Sequence, residues 1–497
     1  MERKEQRVCI VIPPSPHLCD ERVFPQLGPL RVAGALIQSG VSVDVVDCSG
    51  YTNYSSIVEK YALESDTNIF AIGCTTPQLP NAEVIIRAIR QAKPRAKVIL
   101  GGVHVTTACS SYKREKKLGI VSRGTKAFSY LFSLADVLVS GDGERAALVA
   151  IKTDSPPLVD ADDPNSPLFL QADDIADYPF PRRDLIELNS YKYTIDGIKS
   201  TSIVGQLGCP MQCTFCGARL SSSFRKMRVR PITNLIEEIE HIYNNWNIRG
   251  LFHLDDELNI NKSLLSYLKE FRNFQDRVGV EFRCRGFLKS ELVTKEQAEA
   301  LYASGFRNVL IGFESGDPRI LNNIRKMATV DDNTRAMDLC HEAGLKVKAL
   351  LSLGHAAESP ESIRATRDWV MKVHPDDFDM TIIQPYLSTP IYDEAVEVNG
   401  KPGIWVYTSK SGDKLYMEDI SFSDSPLYYK GMPGDYKAFV YTDYISSEEL
   451  VSMRDEVEKE LRAKLNIPFY PIIQSLNFEH SMGQGFPPDI LRSVSTS

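Results

Sequence analysis

The feature that most limits what this chain can fold into is an alternation of short apolar runs with helical stretches, repeated in two separate blocks. In the first block, 7–13, 41–47, 68–74, 97–102 and 135–144 read as strands, and 29–40, 55–65 and 81–92 as helices. Strands that alternate with helices predict an open parallel sheet wound on both faces. In the second block, 202–207, 250–254, 280–287, 308–316, 346–354 and 379–384 read as strands. Helices at 231–246, 263–274, 294–304, 331–343 and 360–373 link them. The first of these places apolar residues at 232, 235, 236, 239 and 242, one face of a 3.6-residue period. Six strand–helix units predict an incomplete (β/α) barrel, since a closed TIM barrel takes eight.

Between the blocks, 152–185 is rich in Pro, Asp and Ser, a linker composition. The expected layout is a first domain at 1–170, a connector at 171–195, a barrel at 196–395 and a C-terminal α+β region at 396–497. In that last region Ser446 and Glu449 form a capping box that opens an amphipathic helix. A polar, glycine-bearing stretch at 476–485 is a candidate lid or substrate segment.

With 497 residues, two or three domains of about 100–200 residues each are expected. A net charge of −8 gives no support to a nucleic-acid surface. No apolar run approaches the ~18 residues of a membrane span. The charged first residues do not read as a signal peptide. Ten cysteines without a paired framework point to a reducing cytoplasm.

Three of those cysteines stand in CxxxCxxC spacing: Cys209, Cys213 and Cys216, just after Gly208. Thiolates are soft ligands that hold iron–sulfur clusters. Three of them on one loop leave one iron of a four-iron cube open to a chelating molecule. Structural zinc favours four protein ligands from two separated pairs, and no second CxxC exists.

Ligands of parallel α/β units bind at the carboxyl ends of the strands. In the first block those ends carry Thr75, Thr76, Gly101, Gly102, His104, Gly141 and Glu144. Small and hydroxyl residues there admit a large flat ligand, and the first turn lacks GxGxxG, which disfavours a dinucleotide. In the second block they carry Asp255, Asp256, Glu257, Arg285, Glu314, Ser352 and Gly354. Carboxylates suit an ammonium or a ribose diol through charge-assisted hydrogen bonds.

The cysteine loop, with Phe215 before its last cysteine, resembles the signature of the radical S-adenosylmethionine (radical SAM) superfamily. The GGxHxT stretch at 101–106 and SGDGE at 140–144 resemble the cobalamin-binding domain of the cobalamin-dependent radical SAM enzymes. Pro385–Tyr392 resembles a further family stretch at the barrel mouth. The resemblance implies a [4Fe–4S] cluster on Cys209, Cys213 and Cys216, with SAM chelated at the open iron. It implies that Phe215 lies against adenine, that Asp256 or Glu257 meets the methionine amine, and that Glu314 makes a polar cofactor contact; Ser352, at a neighbouring strand end, is a further candidate contact by its position. It implies cobalamin at the first block, held without a protein histidine on cobalt, because DxHxxG is absent. The activity it implies is a radical methyltransferase, moving methyl from methylcobalamin to an unactivated carbon of a small molecule. A flavodoxin- or ferredoxin-type donor would supply the electron. The alternatives are a cobalamin-dependent rearrangement, cyclisation or oxidation, or a non-catalytic cobalamin and iron–sulfur binding protein.

Overall fold

The structure is a computed structural model that describes residues 6–15, 21–217, 219–424 and 437–467. Its first sheet has six parallel strands, in the order Ser42–Asp47, Arg7–Ile12, Ile69–Gly73, Lys97–Gly101, Val137–Gly141 and Leu158–Ala161. The order reverses beside the first strand, the place where such sheets bind ligands. The sixth strand lies inside the Pro- and Asp-rich stretch that composition marks as a connector. Four residues, Leu-Val-Asp-Ala, are too short a signal to stand out there.

The second sheet runs Asp377–Ile382, Lys346–Leu353, Phe306–Glu314, Arg283–Leu288, Gly250–His253 and Ile198–Ile203, all parallel. This is the expected incomplete barrel. A seventh strand, Thr194–Ile195, adds antiparallel at one edge through Asp196 and Gly197, both at positive φ. An Asp-Gly pair between two strands is a strong hairpin signal. The strand before the cysteines ends at Ile203, short of the expected Leu207. Gln206–Leu207 pairs instead with Arg228–Val229, clamping the base of the cysteine loop.

The other barrel edge is covered by the helix Ser447–Lys464, which begins at the expected capping box. From it Arg454 donates to the Met380 carbonyl at 2.9 Å, and Arg462 pairs with Asp377. Between barrel and helix, Val396–Glu397, Ile404–Thr408, Lys414–Glu418 and Val440–Tyr441 form a four-stranded antiparallel sheet. Leu387, Tyr392 and Phe422, downstream of the barrel, pack into the apolar core of the first unit. The 476–485 stretch lies outside the described residues. No helix among the described residues is long and apolar enough to cross a membrane.

Candidate functional site

The cysteine loop is built by backbone geometry. Gly208 has φ +84°, and a Cβ there would stand 2.3 Å from the Lys226 carbonyl oxygen. The Cys209 amide donates to Phe224 O at 2.8 Å. Arg225 donates to the carbonyls of Met211 and Pro210, each at 3.1 Å. At the far end, the Thr214 amide donates to Ile324 O at 3.0 Å. Burial raises all three thiols, Cys209 to about 11, and for Cys216 the other two cysteines add to the effect. Cys216 is exposed, whereas Cys209 and Cys213 are half-buried. The three thiols share this loop, but no three His, Cys, Asp or Glu side chains among the described residues already stand at metal-holding separation.

Around the loop a charged network converges from three strand ends. Glu314 sits at a register shift of its strand with φ +64°, a conformation a non-glycine residue adopts only under constraint. The bulge turns its carboxylate to Lys326 Nζ at 3.1 Å and to Ser352 Oγ at 2.8 Å. Ser352 Oγ also lies 2.7 Å from His355 Nε2. Burial holds the His355 pKa near 4, so that imidazole is neutral. Its ring meets Phe215 edge-on at 5.0 Å. Burial works against the Lys326 ammonium, but Glu314, Glu257 and Cys213 outweigh it and its pKa rises above the ordinary lysine value.

The three acids at 255–257 separate by role. Asp255 is buried and accepts from the Gly205 amide at 3.3 Å, bracing the approach to the cysteines. Asp256 is exposed and Glu257 half-buried. Glu257 Oε2 is buried with no hydrogen-bond partner, and burial lifts its pKa to about 7. Such an orphaned carboxylate oxygen suits a cationic ligand. Arg285 does not join the network. It is stacked on Phe252 at 4.7 Å and faces a cavity of about 650 Å³ at the amino ends of the strands. Lys326 and His355 escaped the sequence reading. Both lie in loops with no periodic signal, and only the chain path brings them to Glu314.

The carboxyl edge of the first sheet has a different character. Gly102 has φ +94°, and a Cβ there would stand 2.7 Å from Cys74 N and O. Gly141, at φ +88°, would meet the Ala161 carbonyl carbon at 2.5 Å. Its amide donates to Thr106 Oγ1 at 2.9 Å. Residues 103–106 belong to the first turn of the helix Val103–Leu118 rather than to a loop. That turn buries His104, whose Nδ1 lies 3.0 Å from Thr76 Oγ1 and whose ring packs on Phe422. Glu144 is paired with Arg31 at 2.8 Å. Thr75, Gly102 and Val103 are left exposed at the rim, beside Gly101. This small, uncharged rim fits the face of a large flat cofactor better than a charged one.

The two edges face each other. Asp142, after the fifth strand, forms an ion pair with buried Arg228. Asp162 accepts from Ser221 Oγ and the Ser223 amide, each at 2.7 Å. Ser111 binds both oxygens of Asp393 and accepts from the Ser388 amide.

Comparison with known proteins agrees with this layout. Residues 19–131 match the B12 binding domain model, and 203–370 match the radical SAM superfamily model. The chain thus carries a cobalamin-binding and a radical SAM domain in tandem, the arrangement of the cobalamin-dependent radical SAM enzymes. The two domains imply cobalamin, a [4Fe–4S] cluster and S-adenosylmethionine. Among relatives, an uncharacterized methyltransferase of Pyrococcus horikoshii is 25% identical over 400 residues, covering 80% of this chain and 84% of that one. An anaerobic magnesium-protoporphyrin IX monomethyl ester cyclase of Cereibacter sphaeroides is 24% identical, covering 73% of this chain and 59% of the cyclase. The fold resembles that of the radical SAM methyltransferase TsrM from Kitasatospora setae, with TM-score 0.68, 18% identity and 91% of each chain covered.

Proposed function

We propose that this radical SAM enzyme is a methyltransferase that moves a cobalamin-borne methyl group to an unactivated carbon of a small molecule. The observation that carries the reading is the meeting of the two carboxyl edges. Asp142–Arg228 and the Asp162 contacts hold the small-residue rim of the first sheet against the cysteine loop of the second. When bound, the cluster supplies the electron that cleaves SAM to a 5′-deoxyadenosyl radical, and cobalamin supplies the methyl carrier.

In this reading Cys209, Cys213 and Cys216 hold the cluster. Glu257 receives the methionine ammonium through its orphaned oxygen, with Asp256 at the open side of the pocket. Glu314 and Ser352 present a hydrogen-bonding wall to the ribose, fixed by Lys326 and His355. Phe215, locked by the His355 ring, offers an edge for adenine. Thr75, Gly101, Gly102 and Gly141 form the corrin rim, with Thr76, His104 and Glu144 supporting it from beneath. An external flavodoxin- or ferredoxin-type protein delivers the electron.

The likeness to the cyclase favours one second reading, a radical reaction on the same cofactors without methyl transfer. The test is anaerobic reconstitution with iron, sulfide and hydroxocobalamin, then incubation with SAM, a reductant and small-molecule extracts that include tetrapyrroles. Methylated product with both S-adenosylhomocysteine and 5′-deoxyadenosine supports methyl transfer. Product with 5′-deoxyadenosine and no S-adenosylhomocysteine selects the second reading.

A further inference from the structure

The helices Val103–Leu118 and Arg123–Leu134 form a hairpin on the first domain whose tip is apolar. Leu118, Ile120 and Val121 are 56%, 47% and 79% exposed. The tip is held rigidly. Glu115, itself buried, accepts from the amides of Ser122, Gly124 and Thr125 at 2.8–2.9 Å and from the Thr125 hydroxyl at 2.6 Å. Gly119 ends the first helix at φ +69°, and the Ile120 amide returns to Glu115 O at 3.1 Å. A carboxylate committed to four donors fixes the turn with its apolar side chains outward.

The charges around this tip run against those of the molecule. The chain as a whole carries −8, yet residues 112–126 hold six basic residues and one acidic one, the inward-turned Glu115. Three of the cations are committed elsewhere. Lys113 pairs with Asp160, Arg114 donates to the Asp393 carbonyl, and Arg123 is buried against Tyr392 and Trp405, 3.8 and 3.9 Å from the ring centroids. Lys116, Lys117 and Lys126 are exposed and in no ion pair among the described residues. The result is a rigid convex apolar tip ringed by lysines.

That combination selects its partner. A stable protein interface takes about 800 Å² per side with complementary packing, which one protruding turn does not offer. Nucleic acid would meet the lysines but gains nothing from Ile120 and Val121. An anionic lipid surface uses both: apolar side chains enter the headgroup region, and lysines reach the phosphates with their stems lying along the apolar layer. We propose that the tip Leu118–Val121 docks this protein on an anionic membrane surface, with Lys116, Lys117 and Lys126 as the phosphate contacts.

The test is co-sedimentation of the reconstituted full-length chain with vesicles of phosphatidylcholine alone or mixed with phosphatidylglycerol. Binding is expected to the mixed vesicles only, and to fall as salt rises. K116E/K117E and I120S/V121S should each weaken it by about tenfold or more, with thermal unfolding temperatures unchanged. In a separate variant, Val121→Trp, tryptophan emission should shift to the blue on the mixed vesicles. Absence of binding, binding that neither double variant weakens, or an unshifted Val121→Trp emission would overturn the proposal. So would a doubled mass in solution that I120S/V121S abolishes, since the tip would then join two copies of the chain.

Discussion

The two carboxyl edges that meet in this molecule are made by the same kind of parallel sheet and end in opposite chemistry. At the first sheet, charged groups are withdrawn: Glu144 is tied to Arg31, Asp142 to Arg228, and His104 is sealed under Phe422. What remains is backbone, glycine and threonine. At the second sheet, thiols, Glu257, Glu314 and Lys326 are gathered into one pocket. The contrast teaches what each edge can receive. A neutral rim suits a large ring held by shape, whereas a pocket of opposed charges suits a zwitterionic ligand and a metal cluster.

The largest expected effect falls on the second edge alone. Replacing Cys209, Cys213 and Cys216 with Ala should remove about four irons per chain while bound cobalamin stays, as read by iron analysis and optical spectra. Joint loss of iron and cobalamin would instead tie the two edges into one site. Next comes the buried ion pair. Glu314→Ala leaves Lys326 charged and unpaired, and a cost of about 3–5 kcal/mol is expected in urea unfolding. Gly102→Ala tests the first edge. With φ +94° and backbone atoms 2.7 Å from the added Cβ, it should cost about 1–3 kcal/mol and reduce cobalamin retention without changing iron content.

A smaller effect concerns the seam between the two units. Burial lifts Asp393 to about 7 from an ordinary value near 3.8, with Ser111 and Arg114 opposing. A carboxyl raised on folding contributes stability below its unfolded pKa and loses it as pH climbs through the folded one. Thermal scans between pH 5 and 8 should therefore show the parent losing on the order of 1–2 kcal/mol relative to Asp393→Asn. An identical slope in both would show that Asp393 does not titrate differently in the folded and unfolded states in this range. The smallest effect is at His104. Because its ring is buried and bonded to Thr76, His104→Asn should leave the spectrum of bound cobalamin unchanged. A shift in that spectrum would show that a side chain of the first edge acts on the cofactor.

Much of this was written in one dimension. Alternation of apolar runs and helical periods placed ten of the twelve parallel strands within a few residues, because buried strands and amphipathic helices carry their pattern locally. Leu158–Ala161 was lost in a Pro-rich stretch, and the strand before the cysteines ends at Ile203, beyond which the Gly205 amide donates to Asp255 and Gln206–Leu207 pairs with Arg228–Val229. The cysteine spacing placed three thiols together, since three cysteines within eight residues share a loop in any fold. The choice among Asp255, Asp256 and Glu257 was not legible. Adjacent carboxylates look alike in sequence and differ only in what folds over them.

The sequence by itself determined two parallel sheets, the thiol loop and the small-residue character of the first rim, each a matter of neighbours along the chain. Tertiary structure alone decided that Lys326 and His355 complete the Glu314 network, that His104 points inward, and that the two rims face each other. Apart from the local Ser352–His355 contact, those facts depend on contacts between residues from 12 to several hundred positions apart. Burial and charge at such distances are set by how the chain closes on itself, and no local pattern encodes them.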